Sequence, residues 1–152
     1  VIRRDIFRKP CDVNALATAA LYHDASEILT GDLPTPIKYH NAEIMSAYHA
    51  VEDLAVQKLL GMLPPELRAT YADVLSEDKD GDIYPLVKAA DKLSAYIKCI
   101  EERKAGNNEF LSAEAQTRAA LEASPLPEVQ YFLEHFIPAF ERDLDELGAI
   151  GQ

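Results

Sequence analysis

Leu21-Tyr22-His23-Asp24-Ala25-Ser26-Glu27-Ile28-Leu29-Thr30-Gly31-Asp32-Leu33-Pro34-Thr35-Pro36-Ile37-Lys38-Tyr39 is the stretch from which the rest of the chain can be read. Its first half continues an apolar pattern that starts upstream. Val13, Leu16, Ala17, Ala20, Leu21 and Ile28 recur at helical spacing, which predicts a helix from Val13 to Leu29 with Asp12 as its cap. Gly31 suits a helix end, and Pro34 and Pro36 forbid regular continuation.

The helix carries an oddity. Asp24 falls on the apolar stripe, four residues after Ala20 and four before Ile28. A lone carboxylate among apolar neighbours costs several kcal/mol unless a cation or protons compensate it. His23 adjoins it, and Glu27 follows His23 by one helical turn on the same face. Imidazole and carboxylate are ordinary ligands for Mn, Co, Zn and similar divalent ions.

Outward from this stretch the pattern stays helical. Ile44, Tyr48, Val51, Ala55, Leu59 and Met62 predict a helix over Asn41–Met62. Pro64 and Pro65 separate it from a short helix at Glu66–Leu75, and the acid-rich Ser76–Asp82 reads as a solvated loop. Leu86, Ala90, Leu93, Ile97 and Ile100 predict the next helix over Tyr84–Ala105. Gly106-Asn107-Asn108 ends it and is placed to cap another over Glu109–Ala123. A last helix over Glu128–Leu147 carries Phe132, Phe136 and Phe140 four apart, and Pro138 should kink or split it. No segment alternates with period two, so the expected fold is an all-α bundle in one domain over residues 1–152.

Asp91 is a second oddity. It borders the apolar stripe of the fourth long helix, amid Val87, Ala90, Ser94 and Ala95. Two acids beside the core faces of two helices could share one metal ion. Spacing alone favours the plainer alternative, that both are half-exposed or salt-bridged, for example with Lys88 or Lys92.

Composition narrows the partners. The formal net charge of −11 repels a phosphate backbone, so a nucleic-acid polymer is not expected. A small anionic substrate would need a local cation, which a divalent metal supplies. No apolar run approaches the roughly 18–20 residues of a membrane span. Val1-Ile2-Arg3-Arg4-Asp5 lacks the apolar core of a secretory leader. Cys11 and Cys99 form no framework and read as reduced thiols, so a cytoplasmic location is expected.

The stretch Leu21–Tyr39 resembles the bacterial 5′-deoxynucleotidases of the HD-domain superfamily, the YfbR-like group. Val87-Lys88-Ala89-Ala90-Asp91, Tyr96-Ile97-Lys98-Cys99, Gly106-Asn107-Asn108-Glu109-Phe110-Leu111 and Phe136-Ile137-Pro138-Ala139-Phe140 resemble the same group. The resemblance implies an HD-domain helical bundle that removes the 5′-phosphate from deoxyribonucleoside monophosphates with a divalent metal ion, Co²⁺, Mn²⁺ or similar. It implies His23, Asp24 and Asp91 as metal ligands, with Asp24 and Asp91 also meeting the substrate. Glu27 would handle the proton of the attacking water. Asp32, Leu33, Pro34 and Thr35 would form the nucleotide-holding loop, with the Asp32 carboxylate at the sugar. A homodimer is implied as well.

The family also has a metal-binding histidine in a Glu-His-Ser type motif and an Arg-Trp pair, both upstream of this region. Neither is in this sequence, which begins at valine and has no tryptophan. N-terminal helices carrying them are expected to precede Val1. His40 is placed to cap the second long helix, His49 reads as solvated and His135 as structural. Lys38 and Lys88 could each face a phosphate or solvent. Two rival readings remain on sequence grounds. One is an HD hydrolase of nucleoside triphosphates, cyclic nucleotides or alarmones. The other is an HD module that binds or regulates without catalysis.

Overall fold

The computed structural model describes residues 1–33, 41–75 and 81–143. Among them the regular structure is helical, with no strand, as expected. The helices are α1 (Val13–Tyr22), α2 (Glu27–Thr30), α3 (Ala42–Met62), α4 (Pro65–Leu75), α5 (Tyr84–Lys104), α6 (Leu111–Glu122), α7 (Pro127–His135) and α8 (Ile137–Glu141). A short π-helical turn at Ile2–Ile6, which nothing in the sequence pattern announced, precedes them. The chain forms two compact units, one of Asn14–Tyr84 and one of Val1–Val13 with Pro85–Gln152.

The second of these holds the main core. Leu93, Tyr96 and Ile100 of α5 meet Leu121 of α6, Val129 of α7 and Ile137 of α8. Ile100 is fully buried and Tyr96 is only 1% exposed. Phe132 and Phe140 pack against this cluster, whereas Phe136 is half-exposed, so the aromatic stripe is core at two of its three positions. Polar clamps tie the helix ends together. The Arg103 guanidinium spans Glu114 on α6 and Glu141 on α8, with contacts of 3.0 and 2.8 Å. These two carboxylates hold the guanidinium above its ordinary pKa.

Gly106 ends the α5 turn at φ +87°, a left-handed value that suits glycine. Asn107 then works in both directions: its amide Nδ2 donates to Glu102 and its Oδ1 accepts from the Glu109 backbone N–H. No side chain caps α6, whose leading residue is Phe110. Pro138 splits the expected last helix at Phe136, and it sits in the first turn of α8, where its missing N–H costs nothing. The stretch expected to extend this helix to Leu147 lies, from 144 on, outside the described residues. The π-helical turn docks on α7 through Arg3, whose guanidinium contacts Glu128 at 3.1 Å, and through an edge-on Phe7–Tyr131 contact.

The unit Asn14–Tyr84 is built differently. Among its described residues only Ser26 and Ala55 are buried. Asn41 caps α3, with its Oδ1 accepting from the Ile44 N–H at 2.8 Å. His40, like Lys38, lies outside the described residues. Arg68 of α4 donates to the Leu63 and Gly61 carbonyls at the end of α3. Tyr22 and Tyr71 meet edge to face, ring centroids 6.1 Å apart.

The largest departure from the sequence reading lies here. The expected single helix over Val13–Leu29 is two helices, because His23–Ser26 form a turn. The Ala25, Glu27, Ile28 and Leu29 amides each bond three residues back, to Tyr22, Asp24, Ala25 and Ser26. That tighter winding advances about 120° per residue rather than about 100°. A stripe extrapolated along an ideal helix therefore loses register. Asp24 is not embedded in a core: its side chain is 50% exposed. Leu21 and Ile28 are exposed as well.

Removing the centre of the core should be costly. Ile100→Ala is expected to lower the unfolding free energy by roughly 2–5 kcal/mol. The measurement is the urea midpoint at unchanged slope. A loss below about 1 kcal/mol would show that the core is not centred on this side chain.

Candidate functional site

His23 and Asp24 sit together in the turn that follows α1. Helix ends leave carbonyls without intrahelical donors, and His23 supplies a donor to one of them. Its Nδ1 lies 2.8 Å from the Ala20 carbonyl oxygen. A carbonyl can only accept, so Nδ1 carries the proton. That bond orients the ring and leaves Nε2 as the atom with chemistry to offer. Nε2 is shielded from solvent and stands 2.9 Å from Asp24 Oδ2.

Two electron-rich atoms at that distance repel unless they share a cation. The pair therefore suits either a proton, as imidazolium and carboxylate, or a divalent metal ion with both atoms as ligands. An imidazole whose second nitrogen donates to a backbone carbonyl is the arrangement metal-ligating histidines use. The donor set thus fits a metal of the Mn, Co or Zn type.

Glu27 opens α2 and is half-buried. Its backbone carbonyl accepts the Gly31 N–H at 2.9 Å, which closes α2. Gly31 takes φ +72° and ψ 163°, a region open essentially to glycine alone. Asp32 follows it, exposed, and Leu33 is partly buried. Pro34 and Thr35, the other two positions expected to hold a nucleotide, lie outside the described residues. Asp91 lies on α5 in the other unit and is exposed.

Among the described residues, the other two histidines hold no such arrangement. His49 is not simply solvated: its Nδ1 is 2.8 Å from Glu52 Oε2. His135 lies against Tyr131 with the two rings tilted by 47° and their centroids 4.2 Å apart. No described helix is long and apolar enough to cross a membrane.

Two contributors escaped the sequence reading. The Ala20 carbonyl was legible in principle, because a helical side chain leans back over the preceding turn. Tyr48 was not. Its hydroxyl donates to the Gly31 carbonyl from 17 residues away, at 3.3 Å, and in the sequence it counted only as one member of an apolar stripe.

Comparison with known proteins adds to this geometry. The chain is 52% identical over 140 residues to proteins named 5′-deoxynucleotidase YfbR from Shigella flexneri serotype 5b (strain 8401) and Escherichia coli (strain K12 / DH10B). In each case the match covers 90% of this chain and 70% of the relative. Among solved structures it is similar to an HD-domain phosphohydrolase from Listeria innocua, with a TM-score of 0.75 and 26% identity. That likeness covers 90% of this chain and 67% of the other. The family model described as 5′-deoxynucleotidase YfbR-like matches residues 1–140, and this chain, with the HD-domain fold, belongs to that family.

Proposed function

We propose that this chain removes the 5′-phosphate from deoxyribonucleoside monophosphates, giving deoxynucleoside and inorganic phosphate, with a divalent metal ion held by His23, Asp24 and Asp91. The observation that carries the reading is the His23–Asp24 pair: an imidazole already oriented by a backbone carbonyl, its other nitrogen 2.9 Å from a carboxylate oxygen. Membership of the 5′-deoxynucleotidase YfbR-like family gives that pair its substrate class.

Each of the three residues offers one ligand atom, an imidazole nitrogen or a carboxylate oxygen. A metal ion held there by His23, Asp24 and Asp91 would supply Lewis acidity toward a phosphoryl oxygen and a lowered pKa of water. Two carboxylates and a neutral imidazole leave Co²⁺, Mn²⁺ or a similar ion close to electroneutral at the site. The chain needs such a local cation, since its net charge of −11 otherwise repels a phosphate dianion.

Glu27 takes the proton of the attacking water, and it stands one residue past the turn that holds the ligand pair. Asp24 and Asp91 also meet the phosphate end of the substrate. Asp32 and Leu33, with Pro34 and Thr35, hold the sugar, and the Asp32 carboxylate accepts from a sugar hydroxyl. We read the two units as parts of one HD domain. The enzyme works as a homodimer in the cytoplasm.

Three outcomes test this reading in the full-length enzyme. Glu27→Ala should lower kcat on dAMP, dGMP and dUMP with Co²⁺ or Mn²⁺ by about 10²–10⁴, while bound metal stays at the wild-type level. Turnover near wild type would remove Glu27 from the mechanism. Dialysis against a chelator should abolish phosphate release, and added Co²⁺ or Mn²⁺ should restore it. His23→Ala should weaken Co²⁺ binding, measured by calorimetry, by more than the roughly 10–100-fold that follows loss of an outer partner of a ligand. Unchanged binding would place the metal elsewhere.

A further inference from the structure

Gly31 joins two residues that the proposed reaction uses. Its N–H is bonded to the Glu27 carbonyl at 2.9 Å, and its own carbonyl belongs to the peptide plane from which Asp32 leaves. With φ +72° and no side chain, Gly31 cannot hold that plane by packing. The oxygen is instead held from outside. Thr30 Oγ1 donates to it at 3.0 Å and the Tyr48 hydroxyl donates to it at 3.3 Å. A carbonyl has two lone pairs, and two donors suit it.

The two donors differ in kind. Thr30 is the immediate neighbour, so its bond reports only local geometry. Tyr48 stands on α3, whose start is fixed by the Asn41 cap, and α2 packs against α3. Only the Tyr48 bond, of these two, refers the Gly31–Asp32 peptide to a second helix.

We infer that Tyr48 is a positioning residue for sugar recognition: its hydroxyl, with that of Thr30, fixes the Gly31–Asp32 peptide and so sets where the Asp32 carboxylate stands relative to Glu27. The inference rests on the proposed role of Asp32. It assigns Tyr48 no contact with the substrate and no part in metal binding. Losing its hydroxyl therefore weakens the grip on the nucleoside part and leaves the grip on phosphate alone.

The test is Tyr48→Phe in the full-length enzyme, which keeps the ring and deletes one donor. KM for dAMP should rise about three- to tenfold, the loss of one modest hydrogen bond, with kcat within about twofold. Product inhibition by deoxyadenosine should weaken by the same factor, while inhibition by inorganic phosphate stays unchanged. In an Asp32→Ala background the substitution should add less than about twofold to KM, because the two changes act through one contact. Hydrogen exchange at the Gly31 and Asp32 amides should quicken in Tyr48→Phe. An unchanged KM, or a phosphate inhibition that weakens in step with that of deoxyadenosine, would overturn the inference. So would unchanged exchange at the two amides. Failure of the proposed function would show separately, as a wild-type enzyme that hydrolyses no deoxyribonucleoside monophosphate. The exchange measurement would then still decide whether Tyr48 fixes the peptide.

Discussion

The bond between His23 Nδ1 and the Ala20 carbonyl does two things at once. It satisfies a carbonyl that the end of α1 would leave open, and it decides which imidazole nitrogen faces Asp24. Had α1 run on as an unbroken helix, Ala20 would have bonded an amide four residues on, and the ring would have lost its anchor. The interruption at His23–Ser26 is thus part of the site. The following i to i+3 bonds wind the chain tightly into α2, which brings Glu27 and Gly31 directly after the His23–Asp24 pair.

The two units divide the physical labour. In the unit containing α5 to α8, large side chains such as Tyr96, Ile100, Leu121 and Val129 are almost wholly removed from water. That burial is the main stabilising term available to a helical unit of this size. In the unit containing α1 to α4, caps and hydroxyl bonds carry a larger share, since Ser26 and Ala55 alone are buried among its described residues. Regions with little apolar burial open locally at low cost.

Much of this was legible from residue spacing. Apolar periodicity found α3 and α5 within a few residues of their observed ends, because long amphipathic helices repeat their signal several times, while Pro64-Pro65 and Gly106-Asn107-Asn108 marked off α4 and α6. Pro138 and Gly31 marked true breaks for backbone reasons that hold in any context. The turn at His23–Ser26 was not legible, since nothing in Ala25-Ser26 forbids a continuing helix. The turn is accompanied by a side-chain bond to a carbonyl, His23 to Ala20, which composition does not reveal. Asp24 was singled out for a burial it lacks, yet the residue types around it were the informative part. His23 and Asp24 are adjacent in the chain and remain adjacent in space. Tyr48 shows the opposite case: its partner is set by the packing of α2 on α3, which no local pattern encodes.

Gly31 sets a limit on what this chain can become. Nothing lies within 4 Å of where a Cβ would stand there, so a larger residue would find room. The obstacle is handedness: at φ +72° and ψ 163° an L-amino acid pays for its own backbone, whatever surrounds it. Mutational tolerance at this position is therefore decoupled from crowding. A search for substitutable sites guided by empty space alone would choose one of the positions where the chain has least freedom to vary.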